Sequence, residues 1–236
     1  MLEIEHLTVT YGAIQALTDV SLSVASGTKA AVLGANGAGK SSLLRAISGL
    51  TEGYGGQIRF DGEDLGPLSA TERARRGIAH AMEGRRLFRQ LTVQENLELA
   101  WSFGRRSTPL RAALDEVYAR FPILGERARF ASGLLSGGQQ QMLILSCTTV
   151  RSPRLLLLDE PSLGLAPIIV TQIYEVIDTY ARTSGVTVVL TEQMAMLALK
   201  ASHHAFVLRR GTIALEGVSA GFIERGAASE LSAAYL

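Results

Sequence analysis

Apolar and polar residues alternate from 4 to 10 and again through Ser21-Leu22-Ser23-Val24, the period-two pattern of half-buried strands. Lys29-Ala30-Ala31-Val32-Leu33 is an apolar run suited to a buried strand, and it leads into a glycine-rich turn and a helical stretch from Lys40 to about Ser48. Gln57-Ile58-Arg59-Phe60 followed by Asp61-Gly62 reads as a hairpin. Between about 86 and 150 the spacing turns helical, with Val93, Leu97 and Leu99, then Leu110, Leu114, Val117 and Phe121. From 155 the pattern runs strand (155–158), helix (about 168–182), strand (186–190) and helix (about 194–201). Two strands around Arg210-Gly211 and short helices follow. Strands alternating with helices predict an α/β fold with a mostly parallel sheet. The stretch 86–150 predicts a helical insertion subdomain in a single domain spanning 1–236. The antiparallel strands at both ends predict a smaller β layer, placed chiefly as an N-terminal antiparallel β subdomain, with core and β layer over about 1–85 and 151–236.

The 236 residues suffice for a real hydrophobic core without disulfide or structural-metal support. With 23 Lys+Arg against 22 Asp+Glu the formal charge is +1, which excludes a general polyanion binder, so no nucleic-acid partner is expected. Cys147 is the one cysteine and lacks partners for a disulfide, metal or redox motif, which favours a reducing compartment. No run approaches the ~18 apolar residues of a membrane span, and the first residues carry acids where a signal peptide carries bases. The expectation is a protein that stays inside the cell and is held at any membrane by other chains.

The chemistry begins at Gly34-Ala35-Asn36-Gly37-Ala38-Gly39-Lys40-Ser41, which matches the phosphate-loop pattern G-x-x-x-x-G-K-[ST] between a buried strand and a helix. Glycines let backbone N–H groups turn inward around phosphate oxygens, and the helix N-terminus adds favourable partial charge. Lys40 neutralises the outer phosphates and Ser41 can ligate Mg²⁺. Leu155-Leu156-Leu157-Leu158-Asp159-Glu160 is a wholly apolar strand ending in two acids, the pattern of a central parallel strand whose carboxyl end faces a ligand. Asp159 is then placed to hold Mg²⁺ opposite Lys40, and Glu160 to orient or deprotonate an attacking water.

Ser136-Gly137-Gly138-Gln139 opens another helix. Ser136 is a good N-cap, but an ordinary cap needs no pair of glycines, each costing ~1 kcal/mol of helix propensity, so the cluster points to a ligand. Lying upstream of Asp159 and far downstream of the phosphate loop, it resembles the signature motif of ATP-binding cassette ATPases, and the resemblance covers nearly the whole chain. It implies ATP as substrate, Mg²⁺ as cofactor, and a head-to-tail dimer. Ser136, Gly137, Gly138 and Gln139 of one subunit would close over ATP held by the other's phosphate loop. The partner would be a second cassette subunit, identical or different. Gly34, Asn36, Gly37, Gly39, Lys40, Ser41 and Ser42 would bind ATP, and Tyr11 would stack on adenine; a tyrosine packed into a core strand is the other reading of Tyr11. Ser162-Leu163-Gly164-Leu165 after Pro161 resembles the D-loop that links the two sites.

Two positions depart from the commonest family residues. Glu83 stands where a glutamine usually senses γ-phosphate and metal, and either reaches the metal or pairs with Arg85 or Arg86. Gln193 stands where a switch histidine is usual; its amide N–H can donate to a phosphate oxygen but cannot become a cation. Glu83-Gly84-Arg85-Arg86, Glu192-Gln193 and Asp159-Glu160-Pro161-Ser162-Leu163-Gly164-Leu165-Ala166-Pro167 together resemble the ATPase subunits of branched-chain amino acid importers. That resemblance implies two membrane permeases, a solute-binding protein acting from outside, and a place on the cytoplasmic face of the cell membrane. Urea and short-chain amide importers share much of the pattern, and an ATP-gated cassette that scarcely hydrolyses is a further alternative. Met82, Met194 and Leu145-Ser146-Cys147 depart from the importer pattern and bear on cargo more than on activity. His203-His204 read as structural, Cys147 as a small buried residue, and Arg73, Arg75, Arg76, Arg85, Arg86 and Arg89 as a solvated face or a contact for permease loops.

Overall fold

The computed structural model describes residues 1–105 and 108–224. Its chain order is β1 (Leu2–Tyr11), β2 (Ile14–Val24), β3 (Lys29–Leu33), α1 (Lys40–Ser48), β4 (Gly55–Phe60), β5 (Glu63–Asp64), α2 (Ala70–Arg75) and β6 (Ile78–Ala81). Then come α3 (Val93–Ser102), α4 (Leu110–Arg120), α5 (Pro122–Glu126), a 3₁₀ turn (Ser132–Leu134), α6 (Gly137–Thr149), β7 (Leu155–Asp159), α7 (Pro167–Ser184), β8 (Thr187–Glu192), α8 (Ala195–Ala201), β9 (His204–Arg209), β10 (Thr212–Val218) and α9 (Ser219–Glu224). The helical turns expected beyond that point lie outside the described residues.

Two sheets form. One is antiparallel, ordered β2-β1-β4-β5; the other is ordered β10-β9-β3-β8-β7-β6 and is parallel except for β10. The expected N-terminal antiparallel β subdomain is the sheet β2-β1-β4-β5, but the strands at the other end do not join it: β9 pairs in parallel with β3, and the C-terminal hairpin belongs to the large sheet. The cause is the buried run from Ala205 to Leu208, which needs cover on both faces and finds it only in a sheet centre. The same logic explains β7. Leu155 and Leu157 point into one apolar cluster with α1 and the small sheet, and Leu156 and Leu158 into another with α3, α4, α6 and α7. The helical stretch thus packs on the sheet through a continuous core.

Capping fixes several helix starts. Ser69 with Glu72, Thr92 with Glu95, and Ser136 with Gln139 each form a reciprocal capping box. Arg73 corrects another expectation. It is not part of a solvated face but only 2% exposed, donating to the carbonyls of Ala46 (2.6 Å), Ile47 (3.1 Å) and Leu68 (3.0 Å) and to the Tyr54 hydroxyl (3.2 Å). It closes the last turn of the helix that begins at the phosphate loop. Arg73→Ala is expected to lower unfolding free energy by about 3 kcal/mol, because several buried acceptors lose a charged donor; urea denaturation checks this.

Candidate functional site

The carboxyl ends of β3, β8, β7 and β6 lie side by side, with Leu33 opposite Glu192, Thr191 opposite Asp159, and Leu158 opposite Ala81. Residues that are far apart in sequence become one row at the sheet's edge, where loops are free to receive a ligand.

The turn after β3 is fixed by packing. A Cβ on Gly34 would lie 2.5 Å from the Leu208 carbonyl oxygen, and one on Gly39 2.6 Å from the Ala16 oxygen. Gly39 caps α1 with φ 106°, a backbone conformation natural only to glycine. Asn36 and Gly37 stand exposed at the crest, while Ser41 and Ser42 lie half-buried in the first turn of α1. Tyr11 ends β1, is 38% exposed, and belongs to the hairpin whose second strand backs onto Gly39 through Ala16 and Leu17.

Lys40 is buried. Its ammonium donates to the carbonyls of Gly34 (2.8 Å) and Ala35 (3.1 Å) and makes a 3.0 Å ion pair with Glu160. Ser41 Oγ donates to Asp159 Oδ1 at 3.0 Å, and Thr191 Oγ1 donates to the same oxygen at 2.8 Å. Thr191 Oγ1 also accepts from the Glu160 backbone N–H at 3.0 Å. Glu160 has φ 46°, a strained left-handed conformation for a residue with a side chain, and one that costs of order 1 kcal/mol or more. The hydrogen-bonded threonine and the ion pair hold it there. The structure therefore brings Lys40, Ser41, Asp159 and Glu160 together, and adds Thr191, which the sequence shows only as a strand residue.

Glu83 is exposed and lines a cleft with Asp159 and Glu160; among the described residues no ion pair joins it to Arg85 or Arg86. Gln193 is exposed and shares a neighbouring cleft with Glu160 and Ser162. A magnesium ion suits the oxygen pair of Ser41 and Asp159: it takes one or two protein oxygens and completes its octahedron with water and phosphate. Among the described residues no group of three or more His, Cys, Asp or Glu gathers into a closed cage.

Ser136, Gly137, Gly138 and Gln139 line a separate groove of about 860 Å³ that contains none of the phosphate-loop residues. The capping box accounts for Ser136 and Gln139. The glycines have neighbours in this same chain: a Cβ on Gly137 would lie 2.4 Å from Arg85 Nη1, and one on Gly138 3.2 Å from Ile169. The Arg85 guanidinium and the Ile169 side chain therefore crowd both glycines, so small residues suit the packing here as well as the ligand that the motif implies.

A further groove of about 770 Å³ lies between α2, β6, α3 and α6, with Arg75, His80, Arg86, Phe88, Phe103 and Cys147 on its walls. Phe88 and Phe103 are about two-thirds exposed, at 64% and 65%. Burial pushes the Cys147 thiol up to about 12. His80 Nδ1 lies 3.0 Å from Ser48 Oγ and Nε2 is buried without a partner. Burial, then the charges of Arg45 and Arg86, lower its pKa from 6.5 to about 4. The unfolded chain takes up this proton first, so stability falls as pH drops from 6.5 towards 4. Between pH 7 and 5 the loss is expected to reach about 2 kcal/mol and to shrink in His80→Gln, as read by denaturant midpoints at the two pH values. His203, by contrast, has a structural role: its Nδ1 accepts from the Lys29 N–H at 3.0 Å, while the His204 ring packs on Phe206.

Residues 17–163 match the family model described as ABC transporter. The chain is 44% identical over 223 residues to the high-affinity branched-chain amino acid transport ATP-binding protein BraG of Pseudomonas aeruginosa, covering 94% of this chain and 95% of that one. It is 33% identical over 219 residues to the lipopolysaccharide export system ATP-binding protein LptB of Haemophilus influenzae, covering 92% and 90%. A solved ATP-binding subunit of an ABC transporter superposes with a TM-score of 0.84 at 28% identity, covering 96% of this chain and 93% of that one.

Proposed function

Since the chain belongs to the ABC transporter family as an ATP-binding cassette, we propose that it hydrolyses ATP to drive import of branched-chain amino acids. The single observation carrying the ATPase reading is the network in which Lys40, Ser41, Asp159, Glu160 and Thr191 converge. The cargo reading rests on the 44% identity to BraG, well above the 33% to the lipopolysaccharide-export relative.

In this mechanism the backbone N–H groups of 34–39 and the start of α1 cradle the phosphates, and Tyr11 stacks on the adenine. Lys40, held by Glu160 and two carbonyls, exchanges part of that shell for phosphate oxygens. The exchange releases the Glu160 carboxylate to accept a proton from the attacking water, while Thr191 keeps its backbone in place. Ser41 and Asp159 would hold Mg²⁺, with Glu83 reaching it through water; when bound, the ion neutralises charge on the phosphates. Gln193 donates its amide N–H to the γ-phosphate. Ser136 and Gly137, remote from the chain's own phosphate loop, serve the nucleotide of a second cassette subunit. The groove walled by Phe88 and Phe103 receives a loop of a membrane permease at the cytoplasmic face. Among the described residues no helix is long and apolar enough to cross a membrane.

The test is co-purification with its permeases, reconstitution into vesicles, and ATP-driven uptake with the cognate solute-binding protein. Labelled leucine, isoleucine or valine should accumulate and stimulate hydrolysis. Uptake of urea or a short amide instead would transfer the cargo, and ATP binding without turnover would reduce the chain to an ATP-gated partner.

A further inference from the structure

The segment 162–164, between the catalytic strand β7 and α7, is gripped at both ends by residues to which the proposed chemistry gives no task. At its start, the Ser162 N–H donates to Glu192 Oε1 at 3.3 Å, and the same oxygen accepts from the Tyr174 hydroxyl at 2.7 Å. Glu192 is only 2% exposed and directly precedes Gln193. At its end, the Gly164 carbonyl accepts from Arg85 Nη2 at 3.3 Å. Arg85 stands on the loop after β6, two residues past Glu83, with a left-handed φ of 51°. Its guanidinium also fills the space beside Gly137 that a Cβ would occupy, and among the described residues it forms no ion pair with a carboxylate.

We infer that Arg85 and Glu192 are positioning residues: together they hold 162–164 in register with Gln193 on one side and with the Ser136–Gly137 helix start on the other. The loop carrying Glu83 and Arg85, the 162–164 segment, Gln193 and the Ser136–Gly137 helix start then move as one body. A shift of Gln193 or Glu83 is passed through Ser162 or Gly164 to the helix start that serves the neighbouring subunit. This rests on the ATPase reading above.

The test combines steady-state ATPase kinetics with amide hydrogen exchange on the full chain. Arg85→Ala is expected to lower kcat about tenfold with KM for ATP and the melting temperature unchanged, and Arg85→Lys, which keeps one donor, to recover part of it. Glu192→Ala is expected to lower kcat similarly, and Glu192→Gln, which keeps the acceptor, to recover most of the loss. Exchange at 163–165 should quicken in both alanine variants. Gly137→Ala displaces the guanidinium by itself, so adding Arg85→Ala should cost nothing further. Parental kcat in Arg85→Ala, unchanged exchange at 163–165, or losses that multiply in the double variant would overturn the inference. A parent chain that turns over no ATP, alone or with permeases, overturns the ATPase reading instead, and the exchange data still report on the clamp.

Discussion

Glu160→Gln is expected to cut ATP turnover about a thousandfold while ATP stays bound and the two cassettes stay closed upon it. The carboxylate sits at the end of β7 on a left-handed backbone, 3.0 Å from the Lys40 ammonium and fastened through its N–H to Thr191. Glutamine keeps the shape and the backbone bond but cannot take a proton from water. It also gives up the charge that competes with phosphate for Lys40, so nucleotide affinity rises as turnover falls. Single-turnover hydrolysis, with nucleotide retention and dimer content read by gel filtration, checks both halves. A variant that hydrolyses at the parental rate removes Glu160 from the role of base.

Lys40→Ala is expected to do the reverse, weakening ATP binding by about a hundredfold, because the phosphates lose a charged donor in a water-poor site. It also leaves the Glu160 carboxylate, whose side chain is 10% exposed, without its cation. Breaking a buried pair from one side costs about 3 kcal/mol, since the remaining charge is uncompensated. Adding Glu160→Gln to Lys40→Ala should therefore restore much of the stability and none of the ATP binding. Titration calorimetry and denaturation of the single and double variants separate the two effects.

The contrast between these residues and others shows what a linear reading can reach. Lys40, Ser41, Asp159 and Glu160 are legible because each sits at a fixed offset from a glycine or at the end of an apolar strand, and local chemistry decides its place. Thr191 is not legible in that way. It is an ordinary β-branched strand residue until β8 pairs with β7 and sets it opposite Asp159. Arg73 looks like one more surface cation until α2 folds back on α1 and finds carbonyls 26 and 27 residues away. Gly137 and Gly138 gain a second reason for their smallness only in the fold, where Arg85 and Ile169, distant in sequence, come to lie beside them. The large sheet was legible from its apolar runs. The membership of β9 and β10 was harder to reach, because an antiparallel hairpin suits either sheet and only the apolar run from Ala205 to Leu208 points to the large one.

Everything proposed for catalysis requires that a phosphate loop and a Ser136 helix start from two different chains meet on one nucleotide. Measuring specific ATPase activity against protein concentration, for the parent and for Ser136→Arg, tests this most directly. Parental activity per chain is expected to climb with concentration, while a Ser136→Arg chain binds ATP normally yet stays silent throughout. Full activity of Ser136→Arg at dilutions where single chains prevail would contradict it.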